Sequence, residues 1–410
     1  MTGSAPRLLR RRQALAGGLA ALSLPLPFVS ARAAAVPIRI GFGVPLSSPY
    51  AEEALEMVRG ATAAVAMFND AGGLNGRRAD LLVRDFRLNA KVATAGTEEL
   101  IKTGIDLMSG GLSPGVMLAI NAVTRKHKIP FNAISQSDTI VAAPVFAPTT
   151  FHEGPTPHMS SQALGEYAFP QFGGRVAFLA VDYAVGKELV SGFKLSAAKH
   201  GVTSVAEIYH PLGTTDFTPY LQKIAAAKPT IVVFCNYGPD QQFAIQQATW
   251  MGLKKSAKLA AAVISMTARL AAGPEAYQDV IGSTSYYWKL EDTIPSANRF
   301  NRLFRGQNGG SVPTGYAALG FAAPLALLTA ARKAGSVAAA KLVPAMERLH
   351  DDLYKGPEYY RACDHQAVQP LYIVESRYTV DVADRDVFSI VKTVPASESL
   401  LKTCAAEGHK

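Results

Sequence analysis

Ile38-Arg39-Ile40-Gly41-Phe42-Gly43-Val44, followed after a short turn by residues 52–69, is the stretch on which the fold turns. The first part is short, β-branched and ended by turn residues, and reads as a strand. In the second part Leu55, Val58, Ala61, Ala64, Val65 and Phe68 recur at helical spacing. That period puts them on one face of an amphipathic helix, and Ala71-Gly72-Gly73 stops it. The same alternation continues with strands predicted at 79–84, 106–109 and 130–133 and helices at 90–103 and 116–127. It pauses at a proline-rich break (Pro144, Pro148, Pro155, Pro157) and then restarts. Helix 159–169 leads to strands 175–181, 204–209 and 230–234, interleaved with helices 187–200, 217–227 and 241–251. Strands alternating with helices imply βαβ units, so the expected fold is α/β with two doubly wound parallel-sheet lobes. Residues 297–352 read as helical, and 367–375 with 379–382 as a closing hairpin.

Outward from this body, the first residues look like an address. Arg7, Arg10, Arg11 and Arg12 precede an apolar run over 14–29, and Ala31-Arg32-Ala33 supplies small residues at the cleavage spacing. This predicts an export signal over 1–33, twin-arginine-like at Arg11-Arg12. Pro25 and Pro27 interrupt the run, which is too short for a spanning helix. No later segment reads as a membrane span, so no stable membrane insertion is expected. The chain carries 41 basic and 32 acidic residues, and five of the basic ones lie in the signal. The remaining balance of +4 is ordinary for a soluble protein, and no basic run interleaved with aromatics points to nucleic acid. About 375 residues exceed what one core usually serves, so two domains are expected. Of three cysteines, Cys363 and Cys404 are placed to pair in an oxidising compartment, leaving Cys235 buried in an apolar strand.

Gly111-Leu112-Ser113-Pro114-Gly115 matches the nucleophile-elbow pattern and lies between a strand and a helix. The elbow's oxyanion hole needs the N–H of the residue after the serine, and Pro114 has none. A structural reading covers every residue: Ser113 caps a helix that Pro114 opens. Gly41-Phe42-Gly43 lacks the third glycine of a dinucleotide fingerprint, and Gly186-Lys187 lacks the upstream glycine of a phosphate loop. His152-Glu153 has Thr156 where a zinc protease needs its second histidine. His152 and His158 read as solvated loop histidines rather than a metal pair. No catalytic residue, cofactor or metal is therefore expected.

A helix start with free N–H groups is an anion site, and Ser113 before one helix with Ser135-Gln136-Ser137 after the next strand places hydroxyls near one. At this point the chain resembles the leucine/isoleucine/valine-binding proteins, type I periplasmic solute-binding proteins of branched-chain amino-acid ABC transporters. The resemblance runs over nearly the whole exported chain. It includes Pro45-Leu46-Ser47, Phe68-Asn69-Asp70-Ala71-Gly72-Gly73-Leu74-Asn75-Gly76, Val181-Asp182-Tyr183-Ala184-Val185-Gly186, Thr215-Asp216-Phe217-Thr218-Pro219-Tyr220 and Gly315-Tyr316-Ala317-Ala318.

The resemblance implies a three-crossing hinge, near 152–157, 287–290 and 353–356. Lobe 1 is then 36–152 with 289–352, and lobe 2 is 153–288 with 353–410 including a C-terminal extension. It implies ligand contacts at Tyr50, Ser113, Gly115, Ser135, Ser137, Tyr183 and Tyr237, with Val116 also lending backbone. Ser135 and Ser137 read equally as turn serines, and Tyr237 as an edge aromatic. The acid that receives an amino acid's ammonium in this family falls on Val263. An unpaired ammonium in a dry cleft costs several kcal/mol, so the expected ligand is an organic acid or neutral polar solute with an apolar or aromatic part. Tyr286, Tyr287 and Trp288 can stack on such a solute or pack across the hinge. The implied partner is an ABC permease and the implied location the periplasm; a ligand-sensing receptor on the same fold is the alternative.

Overall fold

The computed structural model describes residues 36–379 and 385–409, so the export signal expected at 1–33 lies outside the described residues. The described residues form one compact unit. Its first sheet holds β1 (Ile38–Val44), β2 (Ala79–Asp85), β3 (Leu107–Leu112), β4 (Phe131–Ser135) and β5 (Thr150–His152), all parallel, in the order β2-β1-β3-β4-β5. The second sheet repeats that order with β6 (Arg175–Val181), β7 (Thr203–His210), β8 (Ile231–Cys235), β9 (Lys258–Val263) and β10 (Ile281–Thr284), as β7-β6-β8-β9-β10. In both, strand order reverses beside the first strand, and the crevice outside the strand ends at that reversal is where doubly wound sheets bind ligands. Strands β5, β9 and β10 add to the predicted set: each is short and lacks the polar alternation that marks a half-exposed strand.

Residues 297–352, read as one helical stretch, divide into helices Pro295–Gln307, Gly315–Ala334 and Ala339–Glu347, and then a strand β11 (His350–Asp352). Among the described residues Gly315–Ala334 is long and apolar enough to cross a membrane, contrary to expectation, but most of it is buried. It packs on helix Ala51–Asp70 through two glycines. A Cβ on Gly60 would stand 1.9 Å from the Ala317 carbonyl oxygen, and one on Gly320 would stand 2.1 Å from that of Met57. Such backbone approach belongs to a core helix pair.

The hinge is a buried polar knot. The chain leaves the first sheet after His152 and the second after Thr284. It then forms β11, β12 (Pro357–Tyr360) and β13 (Ala367–Val368), a small antiparallel sheet, before entering the second sheet antiparallel as β14 (Leu371–Ser376). The chain enters that sheet as β14 after Gln369-Pro370, and β12 and β13 touch both lobes: Phe151 stacks on His365 and meets Tyr360 edge-on, while Val368 joins the second lobe's core. Lys355 Nζ donates to the Ser285 carbonyl at 3.1 Å and to the Gln369 side chain, whose amide donates to the Glu153 carbonyl at 2.5 Å. One lysine and one glutamine therefore tie all three connections. Burial holds the Glu153 carboxyl up at about 7 and lowers Lys355 to about 8. Glu358 beside them is pushed well up by burial, and neither of its oxygens has a hydrogen-bond partner.

The closing hairpin differs from the expectation. β14 pairs with β15 (Phe388–Val394); of the second strand expected at 379–382, residues 380–382 lie outside the described residues. Phe388 inserts into the core and Ile390 packs against it, an apolar alternation that anchors the return arm. Beyond it, Cys404 joins Cys363 in a disulfide with 6.2 Å between Cα atoms, and Cys235 is a buried free thiol. The tail expected to belong to the second lobe holds both. Leu400 and Leu401 enter the second lobe's core, while Lys402 pairs with Asp138 at 2.9 Å and the Ala143 N–H donates to the Glu407 carbonyl at 2.8 Å.

Candidate functional site

Each strand end facing the cleft turns sharply into a helix, and these turns set the wall residues. At the end of β3, Gly110, Gly111 and Leu112 take positive φ (112°, 131° and 73°), and a Cβ on Gly111 would stand 2.6 Å from the Ile134 carbonyl. The turn delivers Ser113 as the cap of helix Pro114–His127, its Oγ accepting the Val116 N–H at 3.3 Å. Thr314 caps helix Gly315–Ala334 in the same way, accepting the Ala317 N–H at 3.1 Å. In the second lobe Tyr183 and Tyr237 stand at the cap positions of helices Ala184–Lys199 and Gly238–Trp250 without a side-chain cap, which leaves first-turn N–H groups free of that partner.

These residues enclose a cavity of about 300 Å³ between the lobes. Bonds across its rim hold the lobes together. The Tyr237 hydroxyl donates to the Gln136 side chain, the Thr267 hydroxyl to Glu53 at 3.0 Å, and the Thr139 hydroxyl to Glu188 at 3.0 Å. Gly238 lies so close to the Tyr50 ring that a Cβ there would stand 2.6 Å away. The lobes are closed.

Among the described residues no Asp, Glu, Lys, Arg or His lines this cavity. Its phenols stay neutral: burial pushes Tyr183 up to about 12 and raises Tyr50, Tyr237 and Tyr316 further. Asp240 and Glu53 stand near but outside the wall, and burial raises both, Asp240 to about 6 and Glu53 upward; Glu56, also outside it, accepts the Thr314 hydroxyl at 3.1 Å. The field inside comes from helix starts. The first turns of four helices, at Ser113–Gly115, Tyr183–Val185, Tyr237 and Thr314–Gly315, border one cavity whose described lining holds no fixed charge. Their summed dipoles make it favourable for an anion. The same wall gives Ser113 no base to activate it.

Of the residues singled out in the sequence, Tyr50, Ser113, Gly115, Ser135, Tyr183, Tyr237 and Val263 line the cavity. Ser137 does not. Its hydroxyl accepts the Thr139 N–H at 3.0 Å as a turn serine, and Gln136 takes its place in the wall. Ser135 donates its own proton to the Leu112 carbonyl at 3.1 Å, so it can offer a ligand only a lone pair. Val116 spends its N–H on Ser113, leaving Gly115 as the backbone donor of that turn. Sequence reasoning missed Thr314, Met266 and the run Thr284–Ser285, although a threonine before Gly315-Tyr316 is itself a cap signal. Tyr286 and Tyr287 reach the wall, whereas Trp288 packs under Lys289 and Arg305. His152 is no loop histidine: it is buried in β5 between the Gln366 side chain and the Ser135 carbonyl, each at 2.6 Å. His158 is half-buried in the first turn of helix Pro157–Phe172, and no cluster of three metal-ligating residues exists among the described residues.

Two repeats of one strand order, closed face to face over a cavity at both reversals, define a two-lobed solute-binding protein of type I topology. The chain belongs to the periplasmic binding protein family, whose profile matches residues 37–381, and within it to the leucine/isoleucine/valine-binding group. It is 23% identical over 325 residues to Leu/Ile/Val-binding protein homolog 1 of Brucella suis, covering 78% of this chain and 83% of that protein. An amino acid ABC transporter substrate-binding protein of Pseudomonas fluorescens superposes with a TM-score of 0.83 at 22% identity, over 92% of this chain and 100% of that one. An ABC transporter solute-binding protein of R. palustris in complex with benzoate superposes with a TM-score of 0.78 at 24% identity, over 88% and 97%.

Proposed function

We propose that this chain captures an organic anion with an aromatic or apolar body and presents it to an ABC permease from the periplasm, residues 1–33 serving as its export signal. The observation that carries the ligand class is the uncharged wall. Four helix starts favour a carboxylate, with the Ser113 hydroxyl and the Gly115 N–H as the donors nearest one of them. Among the described residues no acid lines the cavity, and Val263, the residue on which the resemblance puts the acid that receives an ammonium, is part of the wall. The aromatic and aliphatic remainder, with Tyr50, Tyr183, Tyr237 and Leu212, suits an apolar body. The benzoate complex of the R. palustris protein shows that this fold accommodates such a solute.

Calorimetric titration with leucine, its 2-oxo acid and benzoate tests the reading. The acids are expected to bind and leucine to bind at least about tenfold more weakly, the difference an unpaired ammonium imposes. Tightest binding by leucine overturns it.

A further inference from the structure

We infer that the cavity has a second subsite, an apolar arm running back alongside β10, which takes the far end of a carboxylate longer than one ring. This rests on the reading of the cavity as an organic-anion site. The wall includes Thr284 at the cleft end of β10 and also Phe388 of β15. Phe388 lies opposite Ser376, whose N–H donates to the Val280 carbonyl. It is therefore level with the residue before β10 begins, about 13 Å by strand rise from Thr284. A cavity confined to the strand tips would not reach it.

Ile264, Met266, Tyr287 and Phe388 bound the arm, and the two rings lie with centroids 5.5 Å apart. Its polar atoms are already engaged. The Tyr287 hydroxyl donates to Asp386 at 2.9 Å and accepts the Phe388 N–H at 3.1 Å, and the Thr284 hydroxyl donates to the Tyr286 carbonyl at 3.0 Å. The Ser265 hydroxyl pairs with that of Thr267 at 2.6 Å and accepts the Ala268 N–H. A ligand group entering here meets ring faces, a thioether and methyl groups, which bind an aryl or alkyl end and give nothing to a polar one. With the carboxylate held at the helix starts of the first lobe, the molecule that fills both ends is an arylalkanoate.

Titration of the full chain with benzoate, phenylpropanoate and phenylbutanoate measures the arm. Affinity is expected to rise about threefold to fourfold per methylene buried. Met266→Trp fills the arm and should remove that gain, bringing the ratio of phenylbutanoate to benzoate affinity down to about one. Phe388→Leu shortens the far wall and should move the optimum to a longer chain, a readout that survives if the tryptophan variant fails to fold. Benzoate binding as tightly as the longer acids, or Met266→Trp weakening all of them equally, overturns the arm and leaves the anion reading intact. The matching phenylalkanols separate the two ideas. A length dependence among the alcohols with no binding of the acids overturns the anion reading and keeps the arm, and no length dependence in either series removes the arm.

Discussion

Val263→Glu restores a carboxylate to a wall that has none, and its effect on preference can be worked out. Val263 is half-buried at the end of β9, with its carbonyl held by the Gln241 side-chain amide at 2.8 Å, so the backbone there is fixed. A carboxylate about 4 Å from a bound ammonium, at an effective dielectric of about 20, attracts it by roughly 4 kcal/mol. Desolvating the new charge consumes about half of that. The remaining ~2 kcal/mol corresponds to about a 30-fold gain for leucine. Leucine and its 2-oxo acid share the same carboxylate, so its repulsion and the desolvation of the new charge cancel in the ratio of the two affinities, which should swing by the ammonium attraction alone, about a thousandfold. Calorimetry with both ligands on both proteins reads this directly. Leucine binding the unmodified chain more tightly than its oxo acid would refute the reasoning, because Glu53 or Asp240 would then be reaching the ammonium from outside the wall.

Tyr237→Phe removes the hydroxyl that bridges to Gln136 across the closed cleft; the loss of one such bond, about 1 kcal/mol, should weaken any bound acid about fivefold with little change in melting temperature, and an unchanged dissociation constant would show the bridge to be incidental. Alkylation of the unfolded, unreduced protein should label only Cys235, and Cys404→Ser should lower stability by up to about 4 kcal/mol in chemical denaturation; three labelled thiols would disprove the disulfide. Glu153 has its folded pKa raised to about 7 by burial, so the wild type loses stability as pH climbs from about 4.5 through 7, by up to about 3 kcal/mol. Glu153→Gln does not titrate, and its melting temperature relative to the wild type should therefore rise across that window and level off above it; a constant difference would show that the carboxyl is not buried as described.

Periodicity carried the parallel sheets, because β1 and β6 with their following helices each announce themselves by apolar spacing and a glycine or proline stop. It carried the helix start at Ser113 too, since serine before proline has a local meaning that tertiary context does not change. What it missed depends on partners far along the chain. Ser135 and Ser137 look alike in sequence, and only the turn that claims the Ser137 hydroxyl separates them. Thr314 and Met266 reach the cavity because distant segments carry them there. β12 and β13 are shaped by Phe151 and His152 some two hundred residues earlier, which no local pattern reports. His152 failed as a loop residue for the same reason: the two oxygens that enclose it belong to β4 and to the segment before β13.

The tail beyond β15 has a consequence for how the clamp spends its binding energy. Three chain crossings allow two lobes to swing widely, but here a fourth span, fixed at Cys363 and seated on both lobes through Leu400, Leu401 and Lys402, shortens the arc. Fewer open arrangements mean a larger resting share of the closed one, and the apparent affinity of a ligand that needs closure is reduced only by the share that is not closed. Cutting the tail would enlarge the open ensemble without touching a single wall residue, and the ligand would then have to supply the ordering that the tether now provides.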